Sequence, residues 1–184
     1  MKKFLLALAV VSSFAQAGSF ETEFGQEKNK STGTINQWMA FTPSFDLGHG
    51  LEASVKLESA RDKTAGANLE DKVEARLTQN FEIGKLTLGL RGGVGRDLTQ
   101  TGSDFNYYLV EPRVSYAVTD SLSAAGSYRY RNAFDSGHSF LTNTSKVGVD
   151  YKLTKLDEVG VRYAKKTGGD EQSNAWEFTY SRNF

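Results

Sequence analysis

The sequence predicts an antiparallel transmembrane β-barrel of about ten strands, with eight or twelve strands as alternatives. Three observations predict it: an N-terminal export signal, an apolar/polar alternation that recurs along the rest of the chain, and short connections that alternate with long ones. No later stretch approaches 18 consecutive apolar residues, so the sequence predicts no transmembrane helix. A soluble sandwich or barrel is the structural alternative, because it shows the same alternation with its apolar face turned inward.

The N-terminal segment has the pattern of a secretory signal peptide. Lys2 and Lys3 precede the apolar run at residues 4–11, and residues 15–17 (AQA) match a small-x-small cleavage pattern. The run is too short to span a bilayer as a helix. We therefore expect residues 1–17 to be cleaved, residues 18–184 to form the barrel, and the barrel to reside in the bacterial outer membrane.

Composition excludes several classes of function. The 184-residue chain has no Cys, which excludes a disulfide scaffold, a Cys-based zinc site and a thiol nucleophile. Without Lys2 and Lys3 the 22 basic residues fall to 20 against 22 acidic ones, a net charge of −2. That charge predicts no nucleic-acid partner. We also find no metal-ligand spacing and expect no cofactor.

Ten segments have the period of a β-strand, in which successive side chains point to opposite faces. Two weaker ones begin near Phe20 and Met39. Eight alternate clearly, at residues 51–58, 72–77, 85–91, 108–116, 122–131, 146–151, 159–163 and 176–180. Pro43 and Pro112 lie inside predicted strands, where each removes a ladder donor or marks a bulge.

The connections between these segments alternate in length. The short ones are residues 46–50, 83–85, 119–121 and 154–157. The long, polar ones are residues 27–33, 60–68, 96–104, 132–143 and 166–174. Outer-membrane barrels have this layout, with short periplasmic turns and longer extracellular loops.

Aromatic residues favour the membrane barrel over the soluble alternative. Several lie near predicted strand ends, as interfacial girdles do: Phe41, Phe45, Phe81, Tyr116, Tyr128, Tyr130, Tyr151 and Tyr163. The chain ends at Phe184 after an alternation that Arg182 interrupts. This ending resembles the signal by which the bacterial barrel-assembly machinery recognises outer-membrane barrels. We expect a monomer that contacts outer-membrane lipid and lipopolysaccharide.

If the apolar face meets lipid, the polar face lines the interior and its charges separate by strand. The basic wall, on the fifth to ninth strands, comprises Lys85, Arg91, Arg113, Arg129, Arg131, Lys146, Lys152 and Arg162, with Glu111 and Asp150 among them. The acidic wall, on the tenth strand and the first four, comprises Glu177, Glu21, Glu23, Glu52, Glu58 and Glu74, with Lys56, Lys72 and Arg76 among them.

Two interpretations of these walls stay open. Opposite charges can pair across the interior and fill it, which would give a closed structural or adhesive barrel. Alternatively, opposed charged walls line a small channel for acidic solutes. Arginine suits carboxylates because guanidinium offers fixed, bidentate donors and keeps its charge. Arg129 and Arg131 lie on one strand face, about 7 Å apart at a rise of ~3.4 Å per residue.

One stretch resembles a known family. Residues 128–131 (YRYR), followed by 132–135 (NAFD), and the looser echo at 161–163 (VRY) resemble the oligogalacturonate-specific porins and their sialic-acid-channel relatives. Members of that family are typically longer, with twelve strands. The resemblance implies passive uptake of acidic oligosaccharides, with Arg113, Arg129, Arg131 and Arg162 contacting carboxylates. With Arg91, these residues are the predicted substrate-binding set, and Glu52, Glu58, Glu74 and Glu177 are the predicted acidic lining.

An enzymatic function is the third alternative. His49 falls in a short turn, and His138 lies beside Ser139 and near Asp135 in a long loop. Adjacent Ser and His in a loop do not make a triad, because the fold must bring three groups to one point. We therefore predict no enzymatic activity and no catalytic residues.

Overall fold

The structure is a computed structural model that describes residues 18–63, 68–99, 104–135, 141–168 and 171–184. These form one closed antiparallel barrel of ten strands, which confirms the predicted fold class. The predicted signal peptide, residues 1–17, lies outside the described residues. The strands are β1 (Ser19–Asn29), β2 (Ile35–Gly48), β3 (Leu51–Asp62), β4 (Asn68–Ile83), β5 (Leu86–Thr99), β6 (Phe105–Ala117), β7 (Leu122–Ala133), β8 (Thr142–Lys152), β9 (Asp157–Gly168) and β10 (Glu171–Asn183).

The barrel closes through the pairing of β1 with β10. This ladder runs without interruption from Ser19 opposite Asn183 to Asn29 opposite Ser173. Beyond it, the backbone N–H of Phe184 donates to the carbonyl of Gly18 at 3.0 Å. Closure leaves no free sheet edge, which a strand assembly in lipid requires because lipid cannot satisfy backbone polar groups.

The polarity of the barrel is inverted relative to a soluble protein. Val147 and Leu77 point outward and are 62% and 54% exposed, whereas the inward-facing Lys56 and Glu74 are each 2% exposed. An exposed apolar belt with charges on the inside is stable only when lipid covers the belt. The soluble sandwich is thereby excluded, and the fold is that of an integral outer-membrane barrel. No helix in the described part of the chain is long and apolar enough to cross a membrane.

Both prolines interrupt a ladder without shifting it. The β2–β3 ladder skips Pro43, between pairs formed by Phe41 and Ser44, and the register is the same on both sides. The β6–β7 ladder skips Pro112 and resumes at Arg113 in the same way. The missing proline N–H therefore removes pairing at that point of the ladder, and the strands continue through both positions.

The loop lengths differ from the prediction. One end of the barrel, the turn end, carries the connections 49–50, 84–85, 118–121 and 153–156; the other, the loop end, carries 30–34, 63–67, 100–104, 134–141 and 169–170. Much of the predicted loops 96–104 and 166–174 is strand, since β5 runs to Thr99 and β10 begins at Glu171. Crossing the membrane takes about 9–11 residues, so the longer strands pair beyond the apolar belt. There, polar residues face water on both sides and have the composition of a loop.

Aromatic side chains cluster at both ends of the belt, as predicted. At the turn end, the Phe20 ring centroid lies 5.8 Å from Phe41, 5.9 Å from Tyr180 and 5.7 Å from Phe184. At the loop end, Tyr163 and Trp176 meet edge to face with centroids 5.3 Å apart. The Tyr108 ring makes tilted contacts with the rings of Tyr130 and Phe134. These clusters are girdles of the type that anchors a barrel at the two membrane interfaces.

The apolar belt yields a test of membrane insertion. Val147→Arg, in the middle of β8, is expected to destabilise the folded barrel by about 2–4 kcal/mol in lipid vesicles, because the guanidinium would enter hydrocarbon. Thr167→Arg, outward near the loop end of β9, is the depth control and should cost about 0–1 kcal/mol. Reversible urea unfolding in vesicles measures both values. Equal stability of the Val147→Arg variant and the wild type would contradict the assignment of the belt to lipid.

Candidate functional site

The barrel interior holds two polar cavities, one entered from each end. The turn-end vestibule has a volume of about 690 Å³ and is lined by Glu52, Arg91, Arg113 and Arg162, among others. The loop-end vestibule has a volume of about 720 Å³ and is lined by residues that include Glu58 and Arg131. Glu23, Arg129 and Lys146 line both cavities. A single layer of side chains therefore separates the two vestibules.

That layer consists of charged groups. We call it the central ion-pair layer, and it comprises Glu23, Lys56, Glu74, Arg76, Glu111, Arg129, Lys146 and Glu177. None of these residues is more than 8% exposed. The layer contains four acids and four bases, and its Lys56 also contacts Glu58 of the loop-end vestibule at 2.8 Å. Every charge of the layer is therefore paired, as buried charges must be when they are to remain ionised.

Short contacts hold the layer together. Arg129 Nε lies 2.6 Å from Glu111 Oε2, Lys146 Nζ lies 2.7 Å from Glu177 Oε2, and Lys56 Nζ lies 3.1 Å from Glu23 Oε1. Arg76 pairs with Glu74 on the same strand face. Charge-assisted hydrogen bonds of this kind are the stronger ones in proteins, and each one here also blocks part of the passage between the vestibules.

Two aromatic side chains lie against the inner wall beside the layer. Trp38 Nε1 donates to Glu23 at 2.9 Å, and the Tyr107 hydroxyl donates to Glu74 at 2.8 Å. Each ring lies over a glycine: a Cβ on Gly25 would come within 2.0 Å of Trp38, and one on Gly95 within 2.6 Å of Tyr107. The absent Cβ atoms let the rings lie flat on the wall and leave the vestibules open.

The turn-end vestibule contains three of the five predicted arginines. Arg91 donates to the neutral hydroxyl of Thr78 at 3.0 Å. Arg113 Nε is 3.9 Å from Glu111, whose other oxygen holds Arg129. Arg162 is more firmly paired, at 3.1 Å from Asp150 and 3.9 Å from Glu21.

In the loop-end vestibule, Lys166 Nζ lies 3.9 Å from Glu27, and three carboxylates surround the ammonium group of Lys72. Lys72 Nζ lies 3.6 Å from Glu58 and 3.9 Å from Asp97, and it also contacts Glu70. Deeper in the vestibule, Arg131 lies 3.8 Å from Glu74 and 5.1 Å from the centroid of the Tyr107 ring. The acids of this vestibule thus outnumber the nearby bases.

Charged side chains from the two predicted walls meet at the centre of the lumen. Lys146, from the basic wall, pairs with Glu177 from the acidic wall, and Arg131 approaches Glu74 in the same way. The five predicted arginines all point inward, but they do not form one continuous track. Three are in the turn-end vestibule, Arg129 is in the central ion-pair layer, and Arg131 is in the loop-end vestibule.

Sequence reasoning did not single out Trp38 or Tyr107, although a signal existed. The alternation had already assigned the next residues, Met39 and Tyr108, to the outward apolar face. Trp38 and Tyr107 therefore had to point inward. His138 and Ser139 lie outside the described residues. Within the described part of the chain, no group of three His, Cys, Asp or Glu residues could hold a metal ion.

Comparison with known proteins supports the architecture. The sequence matches no protein-family model, and no curated protein matches it. Among solved structures, an outer-membrane channel from Pseudomonas putida F1 gives a TM-score of 0.58 at 10% identity, covering 91% of this chain and 96% of that chain. The NanC porin gives 0.54 at 10% identity, covering 89% and 100%, and the KdgM porin gives 0.52 at 13% identity, covering 89% and 99%.

The same fold also serves a different class of protein. The beta domain of the Bordetella autotransporter BrkA gives a TM-score of 0.54 at 10% identity, covering 91% of this chain and 99% of that chain. At these identities the comparisons establish an outer-membrane barrel fold. One fold can host many functions, so the function of this barrel depends on its interior.

The Glu111–Arg129 pair provides a test of whether the central ion-pair layer is dry. Glu111→Leu should lower the free energy of unfolding by about 3–5 kcal/mol, because it leaves the Arg129 guanidinium buried without its main partner. The double variant Glu111→Leu/Arg129→Met removes both charges and should recover most of that loss. Urea unfolding in detergent micelles measures both variants. If the Glu111→Leu protein is as stable as the wild type, water already solvates Arg129 in the native barrel.

Proposed function

We propose that this protein is a narrow outer-membrane channel for small charged solutes, with the central ion-pair layer as its constriction. The observation that carries the proposal is that Glu23, Arg129 and Lys146 line both vestibules. Only one layer of side chains therefore separates two polar cavities that open at opposite ends. Because outer-membrane barrels turn their short connections toward the periplasm, the loop-end vestibule is the extracellular mouth.

The channel favours acidic solutes. The support for this preference comes from the arginines of the turn-end vestibule. Arg91 forms no salt bridge with any described residue and donates to a neutral hydroxyl, while Arg113 has its acid partner only at 3.9 Å. Both guanidinium groups keep donors for a solute carboxylate. The vestibule volume of about 690 Å³ lies within the range of small-ligand sites.

Acidic oligosaccharides are the solute class that we propose. The local sequence resemblance to oligogalacturonate-specific porins implies it, and a KdgM porin structure contains a disordered oligogalacturonate. In this proposal Arg91, Arg113 and Arg162 contact solute carboxylates in the turn-end vestibule, and Arg131 does so nearer the extracellular mouth. Arg129 belongs to the constriction, where it is already paired with Glu111.

A closed structural barrel is the second candidate. The observation in its favour is that the central ion-pair layer is both buried and held by contacts of 2.6–3.1 Å. Such a layer would seal the lumen if its pairs never separate. The two candidates share the fold and differ in whether ions cross the layer.

Planar-bilayer recording tests the channel directly. Refolded protein should give discrete openings, and a salt gradient should give a reversal potential that reports preference for anions. Arg91→Ser/Arg113→Ser should lower the anion-to-cation permeability ratio, since it removes two positive charges from the turn-end vestibule. Acidic oligosaccharide should block the wild type more strongly than this variant.

The control variant removes a charge of opposite sign, a carboxylate, from the same vestibule. Glu52→Ser should shift the reversal potential in the opposite direction, because Glu52 lines the turn-end vestibule on the acidic side. A silent bilayer that contains folded protein would favour the closed barrel. Openings whose selectivity neither substitution changes would remove the turn-end vestibule from the ion path.

A further inference from the structure

The outer surface carries a polar, basic patch at the loop end of the barrel. Along the β1–β10–β9 sheet, Lys28 pairs with Asn174, and Asn174 pairs with Lys165. Both lysines are exposed, and all three residues fall on the outward face of the strand alternation. Two steps across the sheet separate the lysine backbones by about 10 Å, so their ammonium groups can reach a common ligand.

The patch begins where the apolar belt ends. Two residues closer to the belt on the same strand faces lie Trp176 and Tyr163, the aromatic pair of the loop-end girdle. Trp and Tyr mark the level of the lipid headgroups. A lysine one step above them therefore lies among headgroups, in the leaflet at the loop end of the barrel.

The charge of the patch is uncompensated by the surrounding described residues. Neither lysine forms a salt bridge with another described residue. Their outward neighbours within the strands include only uncharged residues: Gln26, Asn143, Ser145, Thr167 and Gln172. The next residue of this kind beyond β1 is Lys30, a further exposed base whose backbone N–H donates to Gln172. Between the lysines, the Asn174 side-chain oxygen is buried and accepts no hydrogen bond. The patch thus offers exposed lysine cations on either side of an amide side chain.

We propose that Lys28, Asn174 and Lys165 bind the phosphorylated headgroup of an outer-leaflet glycolipid. The ammonium groups pair with headgroup phosphate, which provides the complementary charge at this depth. The half-buried Asn174 amide forms a hydrogen bond with a sugar hydroxyl or amide, and the acyl chains lie along Trp176 and Tyr163. This site is independent of the lumen and of the channel proposed above.

Native mass spectrometry of the detergent-solubilised barrel tests the site, with bisphosphorylated lipid A as the probe. Lys28→Gln/Lys165→Gln should weaken binding about thirtyfold, the combined effect of two cations near a phosphate surface. Asn174→Ala should weaken binding by a smaller factor than the double lysine variant, and that factor should not depend on the salt concentration. Lys155→Gln, which removes the same charge at the turn end, should bind as the wild type does.

Two comparisons keep the proposal falsifiable. Dephosphorylated lipid A should bind the wild type as weakly as the bisphosphorylated form binds the double variant. Equal affinity for phosphatidylglycerol would overturn the assignment to a glycolipid, and unchanged lipid A binding by the double variant would overturn the site. Because both lysines are exposed, the variants should fold, and the heat-dependent gel mobility of the barrel confirms it before each titration.

Discussion

Every other feature of this protein depends on the ladder between β1 and β10. Lipid offers no partner to a backbone N–H or C=O, so a sheet that crosses a membrane must leave no free edge. The uninterrupted pairing from Ser19 to Asn29 with the last strand meets that requirement. Once the sheet is closed, its two faces are no longer equivalent, because one touches hydrocarbon and the other encloses a lumen only ten strands in circumference.

Closure also determines the chemistry of the interior. Alternation puts apolar side chains such as Val147 on the lipid face, and it puts their charged neighbours such as Lys146 inside. Within a lumen this narrow, long charged side chains reach one another, as Lys146 reaches Glu177. The result is a central layer of paired charges with a polar vestibule on each side. A selective channel and a closed barrel differ only in whether that layer opens.

The sequence predicts much of this arrangement, and the remainder has physical reasons. The strict alternation in residues 122–131 is enough to predict, from the sequence alone, that the Arg129 side chain points into the barrel. By contrast, the loop-end extension of β5 to Thr99 was not predictable, since strands above the belt contact water on both faces and lose their period. Nor does alternation specify that Glu111 lies between Arg113 and Arg129, because cross-strand partners depend on stagger, which the period does not encode.

Sided thiol labelling tests most directly whether one ion-pair layer divides the lumen. The chain has no Cys, so a single introduced thiol is unique. In oriented vesicles, a membrane-impermeant thiol reagent that is too wide to pass the central ion-pair layer should label Ser127→Cys only from the turn end and Thr144→Cys only from the loop end. Adding Arg129→Ser/Lys146→Ser should allow labelling of both from either side. With the layer intact, labelling of either Cys variant from both sides, or of neither variant from any side, would contradict a lumen divided by one ion-pair layer.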